Sequence, residues 1–186
     1  GGYVAAIRAR QLGLSTALVE RDALGGVCLN WGCIPTKALL KSGEIYEQLS
    51  HLSGYGLSVE KASLDFTKII ERSRGVAKQM SGGIAFLMKK HKIEVIEGEA
   101  KLEKGNPAPK LVIALKAGGS RTVQAKNVIL ASGARAREIP AIGAVSDGDK
   151  IWTYRDALAP KTMPKSLVVI GSGYGLAGNA QAAALA

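Results

Sequence analysis

The sequence is poor in aromatic residues, cysteine and histidine, and it lacks long apolar runs. Of 186 residues only 5% are aromatic, and there are two cysteines and two histidines. No apolar stretch reaches the roughly 18 residues of a membrane-spanning helix, and no signal peptide is recognisable. We therefore expect a soluble protein with no membrane partner, in which the two cysteines serve catalysis or metal binding rather than structural cross-linking.

Acidic residues are also scarce relative to basic ones. The chain has 25 Lys and Arg against 15 Asp and Glu, a formal net charge of +10. Such a charge attracts anionic cofactors or nucleic acid. The basic residues are dispersed, however, and no aromatic side chains alternate with them, so a solvated surface explains the charge better than a nucleic-acid interface. We predict no nucleic-acid partner.

Glycine is abundant, and glycine-rich turns separate segments with helical or strand periodicity. Helix followed by strand at the start of the chain predicts a βαβ unit whose first strand precedes Gly1. The continuous apolar run 127–131 predicts a buried parallel strand. Further helices are predicted at 36–49 and 65–90, and further strands at 93–96, 110–115, 121–123 and 167–170. In the long helix we expect a core face of Ile69, Val76, Met80, Ile84, Leu87 and Met88.

The two cysteines lie in one short segment, Gly25–Lys37, with the sequence GGVCLNWGCIPTK. In an ideal helix Cys28 and Cys33 would have Cα atoms roughly 8–9 Å apart, whereas a disulfide needs less than about 7 Å. A bridge therefore requires a distorted turn, which Gly32 permits. Cys33 also precedes a helix that opens at Pro35, and the partial positive charge of a helix N-terminus stabilises a thiolate.

Zinc binding and unrelated buried cysteines are the alternatives to redox chemistry. A zinc site needs four ligands, and neither His51 nor His91 lies at ligand spacing from the cysteines. Two unrelated buried thiols would leave the surrounding glycines and proline unexplained. The segment favours a redox pair, and no metal site is predicted.

Two further features are typical of nucleotide binding. Glu20 ends the second strand of the predicted βαβ unit, where an acid bonds ribose hydroxyls about 20 residues after a glycine turn. Gly1 and Gly2 would be the last residues of that turn. A second glycine turn, Gly171 and Gly173, follows the strand predicted at 167–170 and suits a phosphate at a helix N-terminus, although Leu176 stands where the G-x-G-x-x-G pattern has its third glycine.

Together these pieces resemble the two-dinucleotide, flavin-dependent disulfide reductases, and among them the dihydrolipoamide dehydrogenase family. The resemblance covers nearly the whole chain and is most specific in the cysteine segment. It implies an α/β fold: a Rossmann-like FAD-binding domain over residues 1–150, with a parallel sheet, helices and a β-meander. Residues 151–186 would begin a second Rossmann-like, NAD-binding domain.

The resemblance also assigns roles to individual residues. Cys28 would be the thiol that exchanges with the lipoyl dithiol, and Cys33 the thiol beside the flavin. Lys37 would contact the flavin ring. The remaining cofactor contacts would come from Gly1, Gly2, Glu20, Ala100, Ser132, Gly133 and Ala134 for FAD, and from Gly171 and Gly173 for NAD.

The implied reaction is oxidation of protein-bound dihydrolipoamide, with electrons passing through a Cys28–Cys33 disulfide and FAD to NAD⁺. The implied partner is the lipoyl domain of a 2-oxoacid dehydrogenase or glycine cleavage complex. We expect a homodimer at full length, in the bacterial cytoplasm or the mitochondrial matrix. Because the family's His–Glu base and dimer domain lie beyond this sequence, the segment alone is expected to be inactive.

Two other functions remain open from the sequence. One is a glutathione- or mercuric-reductase type of enzyme that uses the same disulfide on a different substrate. The other is a non-catalytic flavin-binding module, in which replacing Cys28 would leave function intact.

Overall fold

A computed structural model describes residues 1–170, and the chain divides into two compact units. The first unit contains residues 1–25 and 80–133. The second contains residues 26–79 and the chain from 134 onward. Each has buried residues of its own, so the two are described separately.

The first unit contains helix α1 (Gly2–Gln11) and a four-stranded mixed sheet. The first strand pairs in parallel with the start of the second, with Ala17 opposite Glu94. The later part of the second strand pairs antiparallel with the third, and the third with the fourth. The predicted α/β class with a β-meander is confirmed, and the parallel part of the sheet consists, in the described residues, of the first and second strands. The strands are β1 (Ala17–Glu20), β2 (Glu94–Glu103), β3 (Lys110–Leu115) and β4 (Ser120–Gln124).

Gly98 lies where β2 changes from its parallel to its antiparallel partner. A Cβ atom at this position would collide with the carbonyl oxygen of Ala114 and come within 2.9 Å of the Ile113 side chain. Glycine therefore lets β3 approach β2 closely, and Ile113 is fully buried. The other buried apolar residues of this unit are Ala6, Ile84, Met88, Ile93 and Ile96.

Helices and connecting loops make up the described part of the second unit. The short helix α5 is stabilised at its start by Asp156, whose carboxylate accepts hydrogen bonds from the backbone N–H and the hydroxyl of Thr153, each at 2.8 Å. Leu158 at its end is fully buried. The helices are α2 (Gly26–Trp31), α3 (Cys33–Gln48), α4 (Phe66–Lys90), of which residues up to 79 belong here, and α5 (Tyr154–Leu158), with 3-10 turns at Leu49–Tyr55 and Pro140–Ile142.

Two predicted strands are absent from the structure. Residues 127–131 and 167–170 have no regular secondary structure. Ile129 and Leu130 are 70% and 75% exposed, so the expected burial is wrong. An apolar run becomes a strand only when neighbouring backbone satisfies its N–H and C=O groups, and no strand within residues 1–170 pairs with either segment.

The buried face of α4 differs in one respect from the predicted one. Ile84 and Met88 are buried as expected, but Met80 is 44% exposed. The buried stripe continues instead through the small residues Ser73 and Ala77. Periodicity in the sequence favoured large apolar side chains and therefore missed small residues at helical spacing. Neither α4 nor any other helix of the described residues is long and apolar enough to cross a membrane.

Two methionines of α4 provide a matched test of this packing. Met88 is 1% exposed, so Met88→Ala leaves a cavity and is expected to lower the free energy of unfolding by about 2–5 kcal/mol. Met80→Ala removes a side chain that is 44% exposed and should cost less than about 1 kcal/mol. Urea denaturation of both variants measures the difference. Equal losses would contradict the assigned helix face.

Candidate functional site

The cysteine segment consists of two helices separated by one glycine. Helix α2 ends at Trp31 and α3 begins at Cys33, with Gly32 between them. A Cβ atom on Gly32 would lie 3.1 Å from the carbonyl oxygen of Val27 and 3.3 Å from the Cα atom of Cys28. These contacts are tight enough to disfavour any side chain here. The distorted turn expected between the cysteines is present, although α3 begins at Cys33 rather than at Pro35.

Cys28 and Cys33 are free thiols of unequal exposure. Cys28 is exposed and Cys33 is half-buried. Although Cys28 reaches the surface, burial of part of its side chain raises the pKa of its thiol, and a side-chain hydrogen bond and charge repulsion with Cys33 raise it further. The backbone N–H of Cys33 and the charge of Lys37 act in the opposite direction. The two sulfurs are thus direct neighbours, as disulfide exchange between them requires.

Arg74 of α4 contacts the residues between the cysteines, and sequence reasoning missed it. Its guanidinium donates a hydrogen bond of 2.6 Å to the carbonyl oxygen of Asn30. Its Cζ atom lies 3.9 Å from the centroid of the Trp31 ring. Asn30 is itself buried, and its amide donates to the carbonyl oxygen of Gly26 at 3.0 Å. No sequence pattern marks Arg74, because it lies 44 positions from Asn30 along the chain.

In the first unit, the start of α1 lies against β1 and the segment that leads to Ser132. A Cβ atom built on Gly2 would lie 3.4 Å from Cβ of Ala131 and 3.6 Å from Cδ1 of Leu18. The helix has Gly1 as its N-cap, with no side-chain capping bond. Its first N–H groups therefore have no intrahelical acceptor. Ser132 and Gly133 are exposed, and Gly133 has φ of 71°, which favours glycine.

Glu20 and Ala100 lie on the neighbouring strands β1 and β2. Glu20 is half-buried at the end of β1, and its carboxylate accepts a hydrogen bond of 2.9 Å from the N–H of Asp22. Arg21 and Glu99, the residues next to them, form an ion pair of 3.3 Å. This pair links the end of β1 to the strand position before Ala100, which is exposed.

The structure brings together some of the predicted site residues in each unit. Gly1, Gly2, Glu20, Ala100, Ser132 and Gly133 belong to the first unit; Cys28, Cys33, Lys37 and Ala134 belong to the second. Lys37 and Ala134 are exposed. Gly171 and Gly173 lie outside the described residues. The cofactor roles of all these residues stay predictions.

Comparison with known proteins identifies the family. Residues 1–185 match the family described as pyridine nucleotide-disulphide oxidoreductase. The chain belongs to this family. The resemblance drawn from the cysteine segment is thus confirmed at the level of the family.

Relatives of this pyridine nucleotide-disulphide oxidoreductase include two bacterial enzymes. The chain is 51% identical over 173 residues to the dihydrolipoyl dehydrogenase of Zymomonas mobilis, covering 93% of this chain and 36% of that protein. It is 49% identical over 190 residues to the dihydrolipoyl dehydrogenase of Rhizobium etli, covering 93% and 38%. The chain therefore spans a little over a third of the length of these relatives.

A solved structure supports the fold of this family member. LpdA from Mycobacterium tuberculosis superimposes with a TM-score of 0.76 over 88% of this chain and 35% of that one. Because the sequence identity is 21%, this likeness concerns the fold alone.

Lys37 provides a test of the electrostatics at Cys28. The positive charge of Lys37 lowers the pKa of the Cys28 thiol, so Lys37→Met should move that pKa upward and leave less thiolate at a given pH. We expect alkylation of Cys28 by iodoacetamide to slow about twofold at about pH 8. Lys41→Met, one helical turn further along α3, is the matched control and should leave the rate unchanged. An upward shift for both variants, or for neither, contradicts the assignment.

Proposed function

We propose that the intact protein oxidises protein-bound dihydrolipoamide to lipoamide and passes the electrons through Cys28 and Cys33 and FAD to NAD⁺. The observation that carries this proposal is the pair of neighbouring thiols at the Gly32 break, one exposed and one half-buried. An exposed sulfur is accessible to an external dithiol, and a partly buried neighbour is protected from it. The identity to dihydrolipoyl dehydrogenases over 93% of the chain supports the choice of substrate.

The exchange needs only sulfur chemistry at the two cysteines. A thiolate of dihydrolipoamide attacks the Cys28 sulfur of the oxidised pair, and the Cys33 sulfur leaves with the bonding electrons. The second thiolate of the substrate then attacks its own mixed-disulfide sulfur and displaces Cys28. Lipoamide leaves as a disulfide. The protein now holds two thiols, having gained two electrons and two protons.

The residues of the first unit fit the dinucleotide part of FAD. The N-terminus of α1 has no side-chain cap and offers backbone N–H groups to a pyrophosphate. Glycine at position 2 lets the start of this helix lie against Ala131 and Leu18. The half-buried carboxylate of Glu20 is suited to ribose hydroxyls. When bound, the flavin supplies a two-electron acceptor. We assign Ala100, Ser132, Gly133 and Ala134 to further FAD contacts and Lys37 to the flavin ring.

The remaining parts of the proposal concern the rest of the protein. We assign residues 1–150 to the FAD-binding domain and 151–186 to the start of an NAD-binding domain, with Gly171 and Gly173 at the NAD phosphates. The proposed partner is the lipoyl domain of a 2-oxoacid dehydrogenase or glycine cleavage complex. We propose a homodimer in the bacterial cytoplasm or the mitochondrial matrix.

Single-cysteine variants of the intact protein test the sulfur roles. Both Cys28→Ser and Cys33→Ser are expected to lower lipoamide-dependent turnover at least about a hundredfold, because each removes one of the two sulfurs. The two variants should differ in the rate at which the remaining thiol reacts with an aromatic disulfide reagent. Cys33→Ser, which keeps the exposed thiol, should react about tenfold faster than Cys28→Ser. The double variant gives the thiol-free baseline, and a reversed order of rates contradicts the roles assigned here.

The substrate class is tested by assaying the intact protein with lipoamide, oxidised glutathione and mercuric ion. The proposal expects lipoamide to be preferred by its kcat/KM. Preference for either other substrate would overturn it in favour of the related reductases, and full activity without Cys28 would favour a non-catalytic flavin module.

Glu20 provides a test of the dinucleotide assignment. Replacing it with alanine removes a charged hydrogen-bond acceptor and should weaken FAD binding by the intact protein about tenfold or more. Titration of the apoprotein with FAD, followed by flavin fluorescence, measures the affinity. The control is Glu103→Ala, which removes the same charge at the far end of β2, where Glu103 pairs with Lys110. Equal effects of the two variants would contradict a ribose contact.

A further inference from the structure

Helix α2 is too short to be stable without help. It has six residues, Gly26–Trp31, whereas isolated helices become stable only at more than about 12 residues. The carbonyl groups of its last turn have no N–H donor within the helix and need donors from elsewhere. Arg74 supplies one to the carbonyl of Asn30, at 2.6 Å. A cation at this end of a helix is also favoured by the helix dipole.

The same guanidinium stacks on the next residue of the segment. Its Cζ atom lies 3.9 Å from the centroid of the Trp31 ring, within the range of a cation–π contact. Arg155 of α5 approaches the same ring at 5.1 Å. Burial lowers the pKa of Arg74, so the side chain is partly removed from water, but a guanidinium keeps its proton in proteins. Arg74 is thus a charged group held against two consecutive residues of the cysteine segment.

We propose that Arg74 is a positioning residue for exchange between Cys28 and Cys33, an inference that rests on the proposed function. Leu29, Asn30, Trp31 and Gly32 are the four residues between the cysteines. Arg74 holds Asn30 and Trp31, and Gly32 is the point at which the helix breaks. The separation of the two sulfurs therefore depends on a side chain from α4 whose contacts are with Asn30 and Trp31.

Equilibration with glutathione measures this positioning directly. The Cys28 thiolate attacks oxidised glutathione, giving a mixed disulfide and one glutathione thiolate. The Cys33 thiolate then attacks the Cys28 sulfur, closing the Cys28–Cys33 disulfide and releasing the second glutathione thiolate. Two protein thiols lose two electrons, and one glutathione disulfide gains them. The ratio of closed disulfide to mixed disulfide, multiplied by the concentration of reduced glutathione, gives the effective concentration of one cysteine at the other.

Replacing Arg74 with methionine should lower that effective concentration about tenfold, since small displacements of reacting groups cost much of their effective molarity. Arg74→Lys keeps the charge without the planar stacking group, so it should recover part of the loss. Trp31→Leu removes the stack alone and should lower the value about threefold. The matched control is Arg72→Met, because Arg72 donates to the carbonyl of Ala38 at 2.8 Å and not to the cysteine segment.

The outcome separates this inference from the proposed function. An effective concentration within twofold of the parent in both Arg74→Met and Trp31→Leu overturns the positioning role, as does an equal loss in Arg72→Met. If Arg74→Met fails to fold, Trp31→Leu and Arg74→Lys decide the question. Since glutathione replaces lipoamide throughout, a parent protein inactive on lipoamide would contradict the proposed function while leaving the test of Arg74 valid.

Discussion

The interruption of the helix at Gly32 is the constraint on which the chemistry of the chain depends. In an unbroken helix, residues five apart are turned about 140° around the axis, with Cα atoms roughly 8–9 Å apart. Two cysteines so placed point away from each other. Ending one helix at Trp31 and starting another at Cys33 removes this restriction. The close contact of Gly32 with the backbone of Val27 explains why this position has no side chain.

The electrostatic balance at Cys28 follows from that proximity. A neighbouring thiol and partial burial both hold back the ionisation of Cys28, while Lys37 and a backbone N–H promote it. The result is a thiol that is accessible to solvent but less ionised than an ordinary cysteine at the same pH.

The sequence was sufficient for the features set by local chemistry. The cysteine segment predicted a turn at Gly32, and the helix and strand periodicity at the start of the chain predicted α1 and β1. It was insufficient where burial depends on distant partners. Residues 127–131 are apolar, but no strand of the described chain pairs with them, and Met80 lies beside the buried stripe of α4 rather than within it.

The cofactor roles of Glu20 and Gly2 stay predictions. These two residues were singled out in the sequence because strand ends and helix starts have recognisable positions in a βαβ unit. Arg74 was not, since its contacts with Asn30 and Trp31 arise only when α4 packs beside α2. Long-range contacts of this kind leave no pattern in a single sequence, whereas the spacing between two cysteines can be read from it directly.

The unequal exposure of the two sulfurs has a consequence for damage by peroxides. An oxidant from solvent meets Cys28 first and converts it to a sulfenic acid. The nearest nucleophile is then the thiol of Cys33, and condensation to a disulfide with loss of water competes with further, irreversible oxidation. A geometry suited to the proposed exchange with a dithiol would thus also protect the exposed sulfur against irreversible oxidation.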